Sequence, residues 1–361
     1  MKKSLLGKIG ASLLILSMAL TGCGGGSGAD NAAKPKEASK GDAKTDASAE
    51  KKLSVGYYVS GNLGDSGFFD SAKEGLDKAE KELGIEVKTV QGGANQSDWP
   101  TGLESMVASK KYEVIVVGTS QMKETTIDLA KRYPEQKFIY FDETITDVPN
   151  IYSVRYNQRE GSFLAGAFAA MVTTSTDLKA ANPDKTIGFL GGMDIPIIND
   201  FKAGYEQGAQ FIDPEVKVIS SFVGDFNNAP KGKELSLAQY NSQNVDIIFT
   251  VAGPAGIGGL EAAKESGKYA IGVNSNQNMV QPGHVLTSML KNVGNSIYRA
   301  IDLYKKGDLP FGQNESLGIY EEGVGLAKDD LYNEHVPQAI RDKMDELQVK
   351  VVSGEIKIKQ D

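Results

Sequence analysis

LSVGYYV at residues 53–59, followed by SGN at 60–62, is the stretch whose reading decides the fold. Apolar residues alternate with small or polar ones up to Val59, and Ser60-Gly61-Asn62 breaks the run, which predicts a strand ending in a loop. Ala72, Leu76, Ala79 and Leu83 then recur at helical spacing, and Gly84 ends the helix. The strand–loop–helix unit repeats. Further strands are expected at 85–90, 114–118, 138–141 and 151–155, with helices near 99–109 and 123–133. A second series has strands at 186–190, 216–222, 246–251 and 269–273, and helices at 158–173, 198–211, 231–241 and 256–266. Short apolar strands alternating with helices predict α/β parallel sheets covered on both faces. Two series predict two doubly wound lobes.

A strand at 285–290 and a helix at 292–306 come next, then short strands at 317–320 and 323–326 and a helix near 336–348. This tail is too short for a third domain, so it is expected to complete the lobes and cross between them. Beyond the βα rhythm no internal repeat is visible. In open parallel sheets ligands sit beyond the carboxyl ends of the strands. The loops at 60–69, 92–99, 118–122, 142–143, 191–199, 224–228, 252–256 and 274–277 are therefore the places where a site is expected.

The amino-terminal segment has a different character. Lys2 and Lys3 precede an apolar run from about Leu5 to Leu20, and Leu20-Thr21-Gly22 leads directly into Cys23, the only cysteine. A basic start, an apolar middle and small residues before a cut site predict a secretory signal peptide over 1–22. The run is shorter than the roughly 20 residues a spanning helix needs. Residues 24–50 are dominated by Gly, Ser, Ala, Lys, Asp and Glu and contain no aromatic residue, a composition expected to form a disordered tether. A flexible segment of that length has a root-mean-square span of roughly 30 Å.

Composition narrows the function further. A secreted body without cysteine has no disulfide framework, so packing must stabilise it. The formal charge is −8 with no basic stripe, which argues against nucleic acid as a partner. With two histidines and one cysteine, a Cys/His metal site is not expected. No cofactor is expected either. There is no Gly-x-Ser-x-Gly elbow with a plausible triad and no Walker sequence, so the chain does not read as an enzyme.

Leu20-Thr21-Gly22-Cys23 resembles the lipobox of bacterial lipoproteins, in which the cysteine is acylated and becomes the first mature residue. Gly64-Asp65-Ser66-Gly67-Phe68-Phe69 with Ser71-Ala72-Lys73-Glu74-Gly75-Leu76 resembles the opening loop and helix of the basic membrane protein family. Those are substrate-binding lipoproteins of ABC importers, among them purine nucleoside receptors. Phe138–Asp142, Glu160–Gly166, Gly191–Pro196, Phe201–Tyr205, Lys231–Glu234 and Thr287–Lys291 are similar to later family segments, in order. The resemblance implies a type I periplasmic-binding-protein fold with three crossovers and a ligand clamped between lobes. It implies residues 23–51 as lipidated Cys23 and tether, 52–156 plus 292–315 as the first lobe, and 157–291 plus 316–361 as the second lobe with a C-terminal crossover segment. It also implies a monomer on the extracytoplasmic face of the cell membrane, attached by lipid only, with an ABC permease as partner. Signalling through a membrane sensor is the alternative to transport.

A nucleoside needs aromatic walls for its base and polar groups for its hydroxyls. The family places a stacking ring at Phe68, and Phe226 is expected on the opposite wall, with Phe69 and Trp99 adding aromatic surface. Asp65 and Asp142 end strand–loop units, and carboxylates accept strong hydrogen bonds from sugar hydroxyls or ring N–H groups. Asp65 also reads as a turn or helix-cap residue. The resemblance makes Lys291 face the ligand, and Asn274 stands where the family carries the acid expected on ribose. Two features depart from the pattern. Phe69 replaces an Asn, and Asn274-Ser275-Asn276-Gln277 replaces Asp-Ser-Asp-Gln. The loss of two acids and the gain of one aromatic widen the expected ligand to a free base, a flavin-like ring system or another heterocycle.

Overall fold

The computed structural model describes residues 52–360, so Cys23, the signal peptide and the tether through residue 51 lie outside the described residues. In the first lobe, β1 (Ser54–Val59) leads to α1 (Phe68–Leu83), which buries Ala72, Gly75, Leu76 and Ala79. Gly84 ends α1 with φ 67°, the left-handed conformation that suits glycine at a helix end. Then come β2 (Glu86–Gln91), α2 (Trp99–Ala108), β3 (Val114–Gly118), α3 (Lys123–Arg132), β4 (Lys137–Phe141) and β5 (Ile151–Tyr156). In β1, Val55 pairs parallel with both Val87 and Val114. Every residue of the central strand β3, VIVVG, is buried, as expected of a strand covered on both faces. The edge strand β2 instead exposes Glu86, Lys88 and Gln91, polar side chains that discourage further pairing.

The second lobe opens with α4 (Gln158–Thr173) and continues with β6 (Thr186–Gly191), α5 (Pro196–Ile212), β7 (Lys217–Phe222), α6 (Ala229–Ser242), β8 (Ile247–Val251), α7 (Pro254–Glu265), β9 (Tyr269–Asn274) and β10 (Val285–Lys291). Helix α4 is buried almost all round. It packs on α5 at backbone contact: a Cβ on Gly166 would stand 1.9 Å from the Tyr205 carbonyl oxygen. The chain returns to lobe 1 with α8 (Val293–Lys306) and β11 (Asn314–Leu317), then to lobe 2 with β12 (Val324–Leu326), α9 (Asp330–His335) and α10 (Gln338–Val352).

The two six-stranded sheets have the orders β11-β5-β4-β3-β1-β2 and β12-β10-β9-β8-β6-β7, so strand for strand they are the same. The sheets differ only at the sixth strand: β11 lies parallel to β5, whereas β12 lies antiparallel to β10. The repeat is topological, which is why it leaves no trace in the sequence.

Three crossings join the lobes: at Asn157, at Asn292 and through 318–323. They run side by side. The Asn157 N–H donates to the Leu317 carbonyl at 2.8 Å, and the Asn292 N–H donates to the Gly323 carbonyl at 2.9 Å. The strand expected at 317–320 is displaced. The chain pairs with β5 from Asn314 to Leu317, and 318–322 form a turn closed by the Gly323 N–H on the Gly318 carbonyl at 2.8 Å. Ser316 and Leu317 therefore belong to the first sheet, two residues past the expected change of lobe. The short α9 was not foreseen, and α10 runs four residues beyond the expected end at 348.

Candidate ligand-binding site

The strand order reverses between β1 and β3 in one lobe and between β6 and β8 in the other. Crevices in open parallel sheets form at such reversals. Residues after strands of both lobes line one cavity of about 230 Å³. That is below the roughly 300–1,000 Å³ of drug-sized pockets. Asp65, Phe68, Phe69, Trp99, Asp142, Phe226, Asn274 and Lys291 all line this cavity.

Lys291 ends β10 in lobe 2 and pairs with Asp142, which follows β4 in lobe 1. Their side chains are 2% and 10% exposed, so the pair joins the lobes away from water. Desolvating two charges costs several kcal/mol, which only good geometry and added contacts offset. Three rings supply such contacts: the Lys291 ammonium lies 5.5 Å from Phe68, 5.5 Å from Tyr156 and 5.0 Å from Phe201. Each cation–π contact is worth about 0.5–2 kcal/mol. Burial pushes the Asp142 carboxyl above the usual carboxylate range, against the opposing pull of Lys291.

Asp65 faces the cavity too, but its oxygens are engaged by the backbone. It accepts the Gly67 N–H at 3.1 Å, the Phe69 N–H at 2.9 Å and the Asp70 N–H at 3.1 Å. The carboxylate thus caps α1, where the N-cap Gly67 has no side chain to do so. Burial raises its pKa, and these hydrogen bonds oppose the rise.

The aromatic residues divide into two settings. Phe68 and Phe69 meet edge to face with centroids 5.2 Å apart, and Phe68 also lies 5.2 Å from Phe141. Trp99 is buried, and its indole N–H donates to the Gly93 carbonyl at 2.8 Å. Phe226 covers bare backbone instead: a Cβ on Gly192 would stand 2.2 Å from its ring.

Asn274 ends β9 with φ 68°, and Asp142 has φ 73° at the equivalent strand end of the other lobe. Asp and Asn are the non-glycine residues that best tolerate this region. Asn276, the other departure from the family pattern, does not line the cavity. Its amide donates to Asp329 at 2.8 Å. Of the two substitutions, only the one at 274 lines the cavity. Ser275 and Gln277 join the lobes by donating to the Gly67 and Ser66 carbonyls, each at 3.2 Å.

Other lining residues were missed, among them the polar Ser60, Asn62, Gln96, Ser120, Gln121, Asp225 and Asn227. Met193, Ile195, Ile197, Ile198, Phe201 and Val251 form an apolar wall on lobe 2. The signal was their position after β6 and β8, in or beside loops that were already suspect. Thr119 was also missed. It follows β3 with φ 82° and ψ 146°, a backbone region nearly reserved for glycine and costing about 1–3 kcal/mol otherwise. No residue-type signal marks such strain.

Two parallel-sheet lobes, three crossings and a cavity between them define the class of bilobal solute-binding proteins. This chain belongs to the Bmp family of PnrA-like ABC transporter substrate-binding proteins, whose family model matches residues 52–361. Basic membrane protein A2 of Borrelia garinii subsp. bavariensis is 29% identical over 308 residues, 84% of this chain and 87% of that protein. The CD4+ T-cell-stimulating antigen of Listeria monocytogenes serovar 1/2a is 29% identical over 318 residues, 82% of this chain and 85% of that protein. Among solved structures, an ABC transporter system solute-binding protein from Aeropyrum pernix K1 has a TM-score of 0.76 at 27% identity, covering 86% of this chain and 94% of its own. Among the described residues, no helix is long and apolar enough to cross a membrane.

Proposed function

We propose that this protein binds a purine nucleoside or a related aromatic heterocycle outside the cytoplasm and delivers it, without chemical change, to an ABC permease. In this reading it works as a monomer held at the membrane by lipid on Cys23. The observation that carries the ligand class is the lining of the cavity, where Phe68, Phe69 and Phe226 lie beside Asp142, Lys291 and Asn274. That is more stacking surface than a bare sugar needs. Base stacking on such rings is worth about 1–3 kcal/mol per base. The apolar lobe-2 wall and the amide at 274 favour one second reading, a ligand with fewer hydroxyls, such as a free base or a riboflavin-like ring.

Calorimetric titration with adenosine, guanosine, inosine, the free bases and riboflavin, beside ribose and glucose, tests this reading. Heterocycle binding is expected; tight binding of a simple sugar alone overturns the ligand class. Chromatography of the recovered ligand checks the absence of turnover. For the anchor, Cys23→Ser is expected to give protein that no longer partitions with membranes or is left unprocessed. Unchanged partitioning with the same mature start refutes lipidation.

A further inference from the structure

We infer that Thr119 is a specificity-determining residue of the cleft, its hydroxyl oxygen accepting a hydrogen bond from an N–H or O–H group of the ligand. The inference rests on the proposed reading of the cavity as a heterocycle site.

Three observations carry it. The first is place. Thr119 follows β3 and Ser60 follows β1, so the two residues flank the point where the lobe-1 strand order reverses, and both residues line the cavity. The second is a backbone held in a conformation that threonine avoids. The Tyr140 hydroxyl donates to the Thr119 carbonyl, the Met122 N–H donates to the same carbonyl at 3.2 Å, and the Thr119 N–H points to the Phe141 carbonyl at 3.4 Å. Strain kept up by such a surround clusters at ligand sites.

The third is proton bookkeeping. The buried Ser60 hydroxyl donates to the Gly118 carbonyl at 3.1 Å, and its oxygen lies 3.1 Å from Thr119 Oγ1. A serine hydroxyl has one proton. With that proton on Gly118, Thr119 must donate to Ser60, because otherwise two oxygens face each other through lone pairs. Turning the Ser60 proton to Thr119 instead would strip the Gly118 carbonyl of this bond. Thr119 therefore offers the cavity an acceptor and no donor. A ligand that presents an acceptor at this point meets lone pair against lone pair, so the pair selects against it.

The test is a calorimetric cycle with inosine and four analogues that each lack one donor: 1-methylinosine and the 2′-, 3′- and 5′-deoxyinosines. Thr119→Val keeps the branched shape and leaves Ser60 bonded to Gly118. It should bind inosine about 3- to 10-fold more weakly. One analogue, weakened by a similar factor on the wild type, should lose nothing further on the variant. Wild-type affinity in Thr119→Val, or losses that multiply for all four analogues, overturns the assignment and leaves the heterocycle reading standing. If Thr119→Val does not fold, Thr119→Ala, which removes the same hydroxyl, is read by the same outcomes. A wild type that binds none of the five overturns the heterocycle reading, and this inference with it.

Discussion

The two lobes share a strand order and bring different chemistry to the cleft. Lobe 1 lines it with Ser60, Asn62, Asp65, Gln96, Thr119, Ser120, Gln121 and Asp142 beside its aromatics, whereas lobe 2 offers Met193, Ile195, Ile197, Ile198, Phe201 and Val251. The difference arises at equivalent strand ends. After β3 the chain reads Thr119-Ser120-Gln121, and after β8 it reads Ala252-Gly253-Pro254. After β4 stands Asp142, and at the end of β9 stands Asn274 with nearly the same φ. The topology thus supplies two similar frames, and side chains make one wall richer in hydrogen-bonding groups and the other richer in aliphatic ones. A ligand with one polar edge and one apolar face satisfies both walls in a single orientation. Lobe 2 adds the polar Asp225, Asn227, Asn274 and Lys291, the last of them neutralised by the carboxylate of lobe 1.

Breaking that pair should have the largest effect. Lys291→Met leaves Asp142 buried without its cation, and such a loss costs about 3–5 kcal/mol. Urea denaturation should show it, and Asp142→Leu in the same chain should recover most of it. The pH dependence has a definite sign. Asp142 already has a raised pKa, and removing Lys291 raises it further. Between the unfolded and folded pKa values the folded state then binds more protons, so stability falls as pH rises through that window. The variant should be more stable near pH 5 than near pH 7.5. A flat or opposite profile would show that the carboxylate is not buried as described.

The stacking walls give the next test. Phe68→Ala and Phe226→Ala should each weaken heterocycle binding by about 1–3 kcal/mol. They should differ in stability. Phe68 packs on Phe69, Phe141 and the Lys291 ammonium, so its loss opens a core contact as well. Phe226 packs at the core edge over Gly192 without those ring and ammonium contacts, so its loss should lower the melting temperature less. Equal melting shifts would erase the distinction between the two walls.

Most of the fold was legible because the strands are short apolar runs and the helices have regular spacing, as in LSVGYYV and Ala72-Leu76-Ala79. The part of β11 that was misplaced is Asn314-Glu315-Ser316, a polar edge segment with no apolar alternation. Its strand character comes from pairing with β5, which is a tertiary effect. The eight expected residues of the site were readable from strand ends together with the family resemblance. What they bond to was not readable: whether Asp65 faces a ligand or caps a helix depends on a backbone turn that gathers three N–H groups on one carboxylate. Thr119 was hidden because strain is a property of φ and ψ and leaves residue type unmarked.

Asp65→Asn tests that cap on the lobe-1 side. The amide keeps one acceptor oxygen for three N–H groups, so stability should fall by about 0.5–2 kcal/mol. The affinity should change through the position of Phe68 and Phe69, which begin the capped helix, so the loss should be similar for every heterocycle in the panel. A loss confined to ligands with one particular hydroxyl would instead make Asp65 a direct contact.

The smallest effect separates two asparagines of one loop. Asn276→Asp places a second carboxylate beside Asp329, at an exposed site where the repulsion is worth about 0.2–1 kcal/mol. The melting temperature should drop slightly, and heterocycle affinity should stay within about twofold, because nothing at 276 reaches the cavity. The same change two residues earlier, Asn274→Asp, places a charged acceptor on the apolar lobe's side of the cleft. Charge-assisted hydrogen bonds are roughly twice as strong as neutral ones, so inosine should gain affinity over 2′,3′-dideoxyinosine. Calorimetry on both variants with that ligand pair decides the matter. If Asn276→Asp shifts the inosine preference as much as Asn274→Asp does, the loop acts as a unit, and position 274 is no longer the lobe-2 counterpart of Asp142 in the cleft.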